Sequence, residues 1–96
     1  MGPGKADLLA AIEETGSISQ AAKQLGMSYR RAWMLVDTMN RCFKAPLVST
    51  ATGGDHGGGA RVTPFGRDVL ARFHAMQTKA DAAISADVAA FADLMR

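Results

Sequence analysis

A cluster of polar and aromatic residues near position 30 has the composition of a surface that reads nucleic acid. Its members are Ser28, Tyr29, Arg30, Arg31, Trp33 and Met34. The guanidinium fork of arginine matches O6 and N7 of guanine, and a serine at a helix N-terminus suits phosphate oxygens. The segment therefore predicts contact with the bases and backbone of DNA. The sequence leaves open which of Arg30 and Arg31 reads a base and which contacts only phosphate.

The charge of the chain is concentrated around this cluster. The 96 residues carry a formal net charge of +2, but residues 19–72 alone carry +5, against −2 for residues 1–18 and −1 for residues 73–96. A chain that faces a polyanion with one surface distributes its charge in this way. The basic middle is consistent with a nucleic-acid partner.

Glycines that end helices and serines that cap them predict that short helices position the cluster. Gly16 ends a first helix over residues 5–15, and Gly26 ends a second over residues 20–25. Ser17 or Ser19 caps the second helix. Ser28 caps a third, from Tyr29 to about Phe43. The cluster therefore lies at the start of the third helix.

The spacing around Gly26 fits a helix-turn-helix. In a twenty-residue window that starts at Ile18, the fifth position is Ala22 and the ninth is Gly26. A small residue is needed where the two helices touch, and a glycine where the turn requires a positive φ. The apolar positions are Ala21, Leu25, Met27, Ala32 and Leu35. The third helix is then the one that enters the major groove, and we expect the ring of Trp33 chiefly to close the core between the helices.

Two short β-prone runs follow, over residues 47–50 and 61–63, separated by a tip that contains five glycines in residues 51–60. They predict a β-hairpin, or wing, whose tip approaches the sugar-phosphate backbone or the minor groove. His56 and Arg61 are the candidate contacts. The tip does not fit a phosphate-binding loop, because no Lys-Ser or Lys-Thr follows it and it does not lie between a strand and the N-terminus of a helix.

A long helix is predicted from Thr63, its cap, and Pro64 to about Met95. It carries an apolar stripe that a small three-helix core cannot cover, so we expect a second copy of the chain to cover it. The expected interface residues are Val69, Phe73, Met76, Ala80, Ile84, Val88 and Phe91. We divide the chain into a DNA-binding domain, residues 1–63, and a dimerisation helix, residues 64–96.

The composition predicts no catalytic or metal chemistry. The single Cys42 excludes internal disulfides and multi-cysteine metal sites, and the two histidines stand apart from any nucleophile. No run of 18 apolar residues and no secretory signal is present. We expect a cytoplasmic protein that is not an enzyme, has no cofactor or metal and does not associate with a membrane.

The motifs together resemble a known family. The segments are 14–22 (ETGSISQAA), 27–33 (MSYRRAW), 51–54 (ATGG), 57–59 (GGG) and 62–63 (VT), followed by Gly66. They resemble the N-terminal DNA-binding domain of ModE-type molybdate-responsive regulators, which is related to the LysR-type winged helix-turn-helix. The resemblance extends from about residue 5 to residue 75. It implies a dimeric repressor or activator whose region 28–33 binds DNA.

With this resemblance, the candidate DNA contacts extend to the start of the second helix and to the wing. The full set is Ser17, Ser19, Gln20, Ser28, Tyr29, Arg30, Arg31, Trp33, Met34, Thr52, Gly53, Gly54, His56 and Arg61. Family members carry C-terminal molybdate-binding domains, for which a chain ending at Arg96 has no room. The chain is then either a fragment of a longer regulator or a stand-alone family member. We expect the stand-alone form and do not carry molybdate sensing over; no small-molecule effector is evident.

The sequence thus predicts a mainly α winged helix-turn-helix with a small β-hairpin and a long C-terminal dimerisation helix. The expected function is sequence-specific regulation of transcription, as a homodimer on a near-palindromic operator of double-stranded DNA. Two alternatives remain open at this point. One is an interaction module that heterodimerises through its long helix, and the other is a sequence-tolerant, nucleoid-style DNA binder.

Overall fold

The computed structural model describes residues 3–51 and 59–96, and these form four helices and one two-stranded sheet. The elements in chain order are α1 (Pro3–Thr15), α2 (Ile18–Gln24), α3 (Tyr29–Cys42), β1 (Val48–Thr50), β2 (Ala60–Val62) and α4 (Pro64–Ala92). The mainly α winged helix-turn-helix with a long final helix is confirmed. No helix within the described ranges is long and apolar enough to cross a membrane.

The turns that separate α1, α2 and α3 form as the sequence predicts. Gly16 and Gly26 have φ of 69° and 67°, a conformation that costs a residue with a Cβ but not glycine. Ser17 caps α2 by accepting a hydrogen bond from the backbone N–H of Gln20 at 3.1 Å, and Ser28 caps α3 by accepting one from that of Arg31 at 3.1 Å. These local features fix where α3 begins.

One apolar core joins the three helices to the sheet. Leu8, Leu9 and Ile12 of α1 are fully buried and pack with Val36 and Met39 of α3. The small residues Ala21, Ala22 and Ala32 are also buried at the α2–α3 contact. Because the inner face of α3 packs against this core, its opposite face lies in solvent.

The two strands form an antiparallel β-hairpin. Strand β1 begins one residue later than the sequence predicts, and β2 begins one residue earlier. Its register pairs Val48 with Val62, Ser49 with Arg61 and Thr50 with Ala60. Its second strand is tied to the core, since the N–H of Ala60 donates to the carbonyl of Gly16 at 3.0 Å. The hairpin is therefore attached to the turn between α1 and α2.

The last helix leaves the core after about three turns. Thr63 caps α4 through a hydrogen bond from Gly66 N–H at 2.9 Å, and Pro64 occupies its first turn, both as predicted. Val69 and Leu70 still contact the core, whereas every residue from 74 onward is exposed. At 1.5 Å per residue the 29-residue helix is about 44 Å long, so its second half extends well beyond the domain.

Candidate nucleic-acid interface

The outer face of α3 begins with two arginines that make no ion pair with the described part of the chain. Arg30 and Arg31 are exposed, and no carboxylate of the described residues pairs with either of them. By contrast, Arg41 pairs with Asp37 at 2.9 Å on the same helix. These two neighbouring guanidinium groups at a helix N-terminus, unpaired within residues 3–51 and 59–96, are available for an anionic partner.

The aromatic residues of this face lie outside the core. Tyr29 and Met34 are 53% and 62% exposed. Trp33 is 37% exposed, and its ring meets that of Tyr29 edge to face with 6.2 Å between centroids. The expectation that Trp33 closes the core is therefore wrong. The packing of α1 and α2 fills the core with aliphatic side chains and leaves the indole on the same surface as the arginines.

The candidate residues at the start of α2 divide into two kinds. Ser17 is half-buried and its hydroxyl is engaged as the helix cap, whereas Ser19 and Gln20 are exposed. The backbone N–H groups at a helix start suit a phosphate oxygen. The first turn of α2 can thus contribute to an anion-facing surface beside α3.

On the wing, Arg61 is exposed in the middle of β2, opposite Ser49. Thr52, Gly53, Gly54 and His56, predicted as further contacts, lie outside the described residues. Among the wing candidates, Arg61 is therefore the one that the structure describes. It lies on β2, which is attached to the helical core.

Asn40 is a residue that the sequence reading missed. Its side-chain oxygen accepts from the N–H groups of Leu47 and Val48 at 2.9 and 3.1 Å, and its amide donates to the carbonyl of Val48 at 3.0 Å. Asn40 thereby ties the end of α3 to the start of β1. The sequence signal that could have indicated this role is the position of Asn40, a polar residue directly after Met39 and at the edge of the apolar stripe of α3.

Replacing Asn40 by alanine is expected to loosen the wing from α3. Three hydrogen bonds disappear and two backbone N–H groups lose their acceptor, which costs about 2 kcal/mol of folding stability. The free energy of unfolding from urea titration measures this loss. Thr38→Ala is the control, because the Thr38 hydroxyl only bonds back to Met34 of its own helix. Equal stabilities of the two variants would contradict the role given to Asn40.

The structure supplies no constellation for catalysis or metal binding among the parts of the chain that it describes. No group of three or more His, Cys, Asp or Glu side chains in residues 3–51 and 59–96 is placed to hold a metal ion. Cys42 is exposed, and His74 stacks on Phe73 with 6.2 Å between ring centroids.

The residues predicted as a dimer interface lie along α4. Val69 and Phe73 are half-buried at its start, and Ala80 is exposed. Met76, Ile84, Val88 and Phe91 are 50–67% exposed. Contiguous exposed apolar surface of this extent is uncommon on monomeric proteins.

The sequence matches a described protein family over most of its length. Residues 5–67 match the profile described as bacterial regulatory helix-turn-helix protein, lysR family. This range contains all but the first two residues of α1, then α2, α3, both strands of the wing and the first turn of α4.

Two curated relatives are similar over the same part. The molybdenum-pterin-binding protein MopB of Rhodobacter capsulatus is 48% identical over 77 residues, which are 80% of this chain and 28% of the relative. The DNA-binding transcriptional dual regulator ModE of Escherichia coli K12 is 44% identical over 68 residues, which are 71% of this chain and 26% of the relative. The chain thus spans little more than a quarter of the length of these relatives.

A solved structure has the same fold. The DBD of CbnR, crystallised in a complex with DNA, superposes with a TM-score of 0.71 at 20% sequence identity. The superposition covers 94% of this chain and 98% of that one. At this identity the likeness concerns the fold alone.

Proposed function

Because the chain belongs to the LysR family of bacterial regulatory helix-turn-helix proteins, we propose that it is a DNA-binding regulator of transcription that acts as a homodimer on a near-palindromic operator. The observation that carries this proposal is the outer face of α3, where exposed Arg30 and Arg31 have no carboxylate partner among the described residues. The relative from Escherichia coli, named a DNA-binding transcriptional regulator, supports it.

In the proposed complex α3 lies in the major groove. Its N-terminal residues are nearest to the base edges, so the forked donors of one or both arginines contact guanine. Tyr29 and Met34, exposed on the same face, offer apolar contact to a thymine methyl group. The inner face of α3 is fixed by the core, which holds these side chains in one orientation relative to the wing.

The remaining candidates position the domain on the duplex. The first turn of α2, with Ser19 and Gln20 exposed, contacts phosphates on one side of α3, and Arg61 of the wing contacts the backbone or minor groove on the other. Such contacts fix register without reading sequence. This division assigns sequence discrimination to α3 and a large share of the affinity to the flanking elements.

In this proposal the long helix α4 binds the second copy of the chain. Pairing of the exposed rows of α4 places two α3 helices on half-sites related by a two-fold axis, about 34 Å apart or a small multiple of that distance. We further propose that the protein acts in the cytoplasm, is not an enzyme and needs no cofactor.

Selection of DNA from a random library by the purified chain tests the proposal, with enriched sites read at two salt concentrations. We expect an inverted repeat, and an affinity that falls steeply with salt because phosphate neutralisation releases counterions. Binding without any enriched motif would instead indicate a sequence-tolerant architectural protein. Absence of binding would indicate a module that heterodimerises through α4.

A further inference from the structure

A row of four side chains follows the outermost line of α3. The row is Arg30, Met34, Asp37 and Arg41. Since successive residues of a helix are rotated by about 100°, these four positions fall within about 60° of one another around the axis. The buried residues of α3 lie on the opposite side of the helix. The row is therefore the part of α3 that is farthest from the core of the domain.

The spacing within this outer row is that of residues that read bases. In homeodomains, the helix in the major groove meets base edges with positions i, i+3, i+4 and i+7. Counted from Arg30, these positions are Arg30, Trp33, Met34 and Asp37, and all of them are exposed. Asp37 lies about 10 Å beyond Arg30 along the helix axis, a distance of about three base pairs of DNA. It can therefore reach the same half-site as Arg30.

Asp37 is the only acidic residue of α3, and it is paired with Arg41 one turn later. Its side chain is 57% exposed, and its Oδ2 lies 2.9 Å from Nη2 of Arg41. Because this guanidinium offsets the charge of Asp37, DNA phosphates repel the pair less than they would repel a lone carboxylate. A carboxylate offers about four acceptor sites, and the contact with Arg41 leaves some of them available.

A carboxylate in the major groove favours one base over the others. Its oxygens only accept hydrogen bonds, whereas guanine and thymine present acceptors there and adenine presents an acceptor beside its donor. Cytosine presents the donor N4, which suits aspartate. On the basis of the proposed DNA-binding function, we propose that Asp37 is a further specificity-determining residue, which accepts a hydrogen bond from cytosine N4 in each half-site.

The ion pair itself contributes little to folding, since it is exposed and joins residues four apart on one helix. The chain contains a second pair of the same kind at the start of α4. There Oδ2 of Asp68 lies 3.1 Å from Nε of Arg72, and the Asp68 side chain is 55% exposed. Asp68 is thus a matched counterpart of Asp37 outside the surface assigned to DNA.

Selection of DNA from a random library by the Asp37→Asn variant tests the proposal. Asparagine reads adenine through its N6 and N7 atoms, so the preferred base at one position of each half-site is expected to change from cytosine to adenine, by about fivefold or more. The preferences at the other positions are expected to remain. Asp37→Ala is expected to lose the preference at that position without gaining another. Circular dichroism checks that both variants are folded.

Asp68→Asn is the control, and we expect it to select the motif of the unaltered chain. The readout compares bases at one position of the site, so a change in overall affinity or in the pairing of two copies does not alter it. If Asp37→Asn selects the same bases as the unaltered chain, or only binds all sequences more tightly, the role given to Asp37 is wrong and the DNA-binding function stands. If the unaltered chain selects no motif, sequence-specific binding and this role both fall.

Discussion

Replacing Gly66 by alanine is expected to lower the free energy of unfolding by about 3 kcal/mol, near the upper end for overpacking one methyl group. Gly66 is buried in the first turn of α4, and a Cβ there would collide with the carbonyl oxygen of Leu47 and lie 2.9 Å from Cγ1 of Val62. A rigid backbone group cannot rotate away as a flexible side chain would. The helix would have to move away from the hairpin.

That movement would break the contacts that join α4 to the wing. The carbonyl of Leu47 accepts from the N–H of Thr63 at 2.9 Å, and the Thr63 hydroxyl donates to the carbonyl of Pro46 at 2.8 Å. Both bonds hold the start of α4 against the residues just before β1. The methyl group and these hydrogen bonds cannot be accommodated together, so the loss is large.

Thermal and urea unfolding measure the effect. For a domain of this size a loss of about 3 kcal/mol lowers the melting temperature by more than about 10 °C. Gly4→Ala is the matched control, because Gly4 is exposed in α1 and nothing lies within 4 Å of a Cβ at that position. If Gly66→Ala melts at the same temperature as Gly4→Ala, α4 does not approach Leu47 as closely as described.

The features that could be predicted from the sequence depend on neighbouring residues. A cap such as Ser28 bonds to the backbone three residues later, and a glycine such as Gly26 adopts its positive φ within a single turn. Hydrophobic spacing also places Ala32, Val36 and Met39 on one face of α3. These interactions span at most about two turns of helix, so the printed order of residues contains them.

The features that were missed depend on segments distant in the chain. Asn40 bonds to backbone groups seven and eight residues later, beyond the end of its helix, and the spacing within α3 does not indicate them. Trp33 lies at the border between the inner and outer faces, where the packing of α1 and α2 decides whether a side chain is covered. The close contact at Gly66 likewise requires the position of Leu47, which only the folded chain provides.

Removal of an arginine that reads a base at the start of α3 is expected to weaken binding to the selected operator by about 5- to 150-fold, since a bidentate contact to guanine contributes about 1–3 kcal/mol of discrimination. Arg30 and Arg31 are each exposed and unpaired among the described residues, so alanine at either position breaks no ion pair. The fold should therefore be unchanged, and circular dichroism checks this. The loss reports contact with DNA alone.

Arg96→Ala is the control. Arg96 is also an exposed arginine, but it lies beyond the end of α4, outside the surfaces assigned to DNA and to the dimer interface. The substitution removes the same formal charge as alanine at position 30 or 31. We expect its affinity for the operator to remain within about twofold of the unaltered chain, as for a charge screened by salt.

The pattern of the losses distinguishes the two roles that the sequence leaves open. Where the arginine reads a base, alanine should relax the preference at one position of each half-site, and binding to unrelated DNA should change little. Where it contacts phosphate, binding to all sequences should weaken alike and the salt dependence should fall by about one counterion per protomer. Titration of both variants against operator and mutated sites at several salt concentrations separates these results. If both variants bind as Arg96→Ala does, α3 does not enter the groove by its N-terminus, and the proposed docking is wrong.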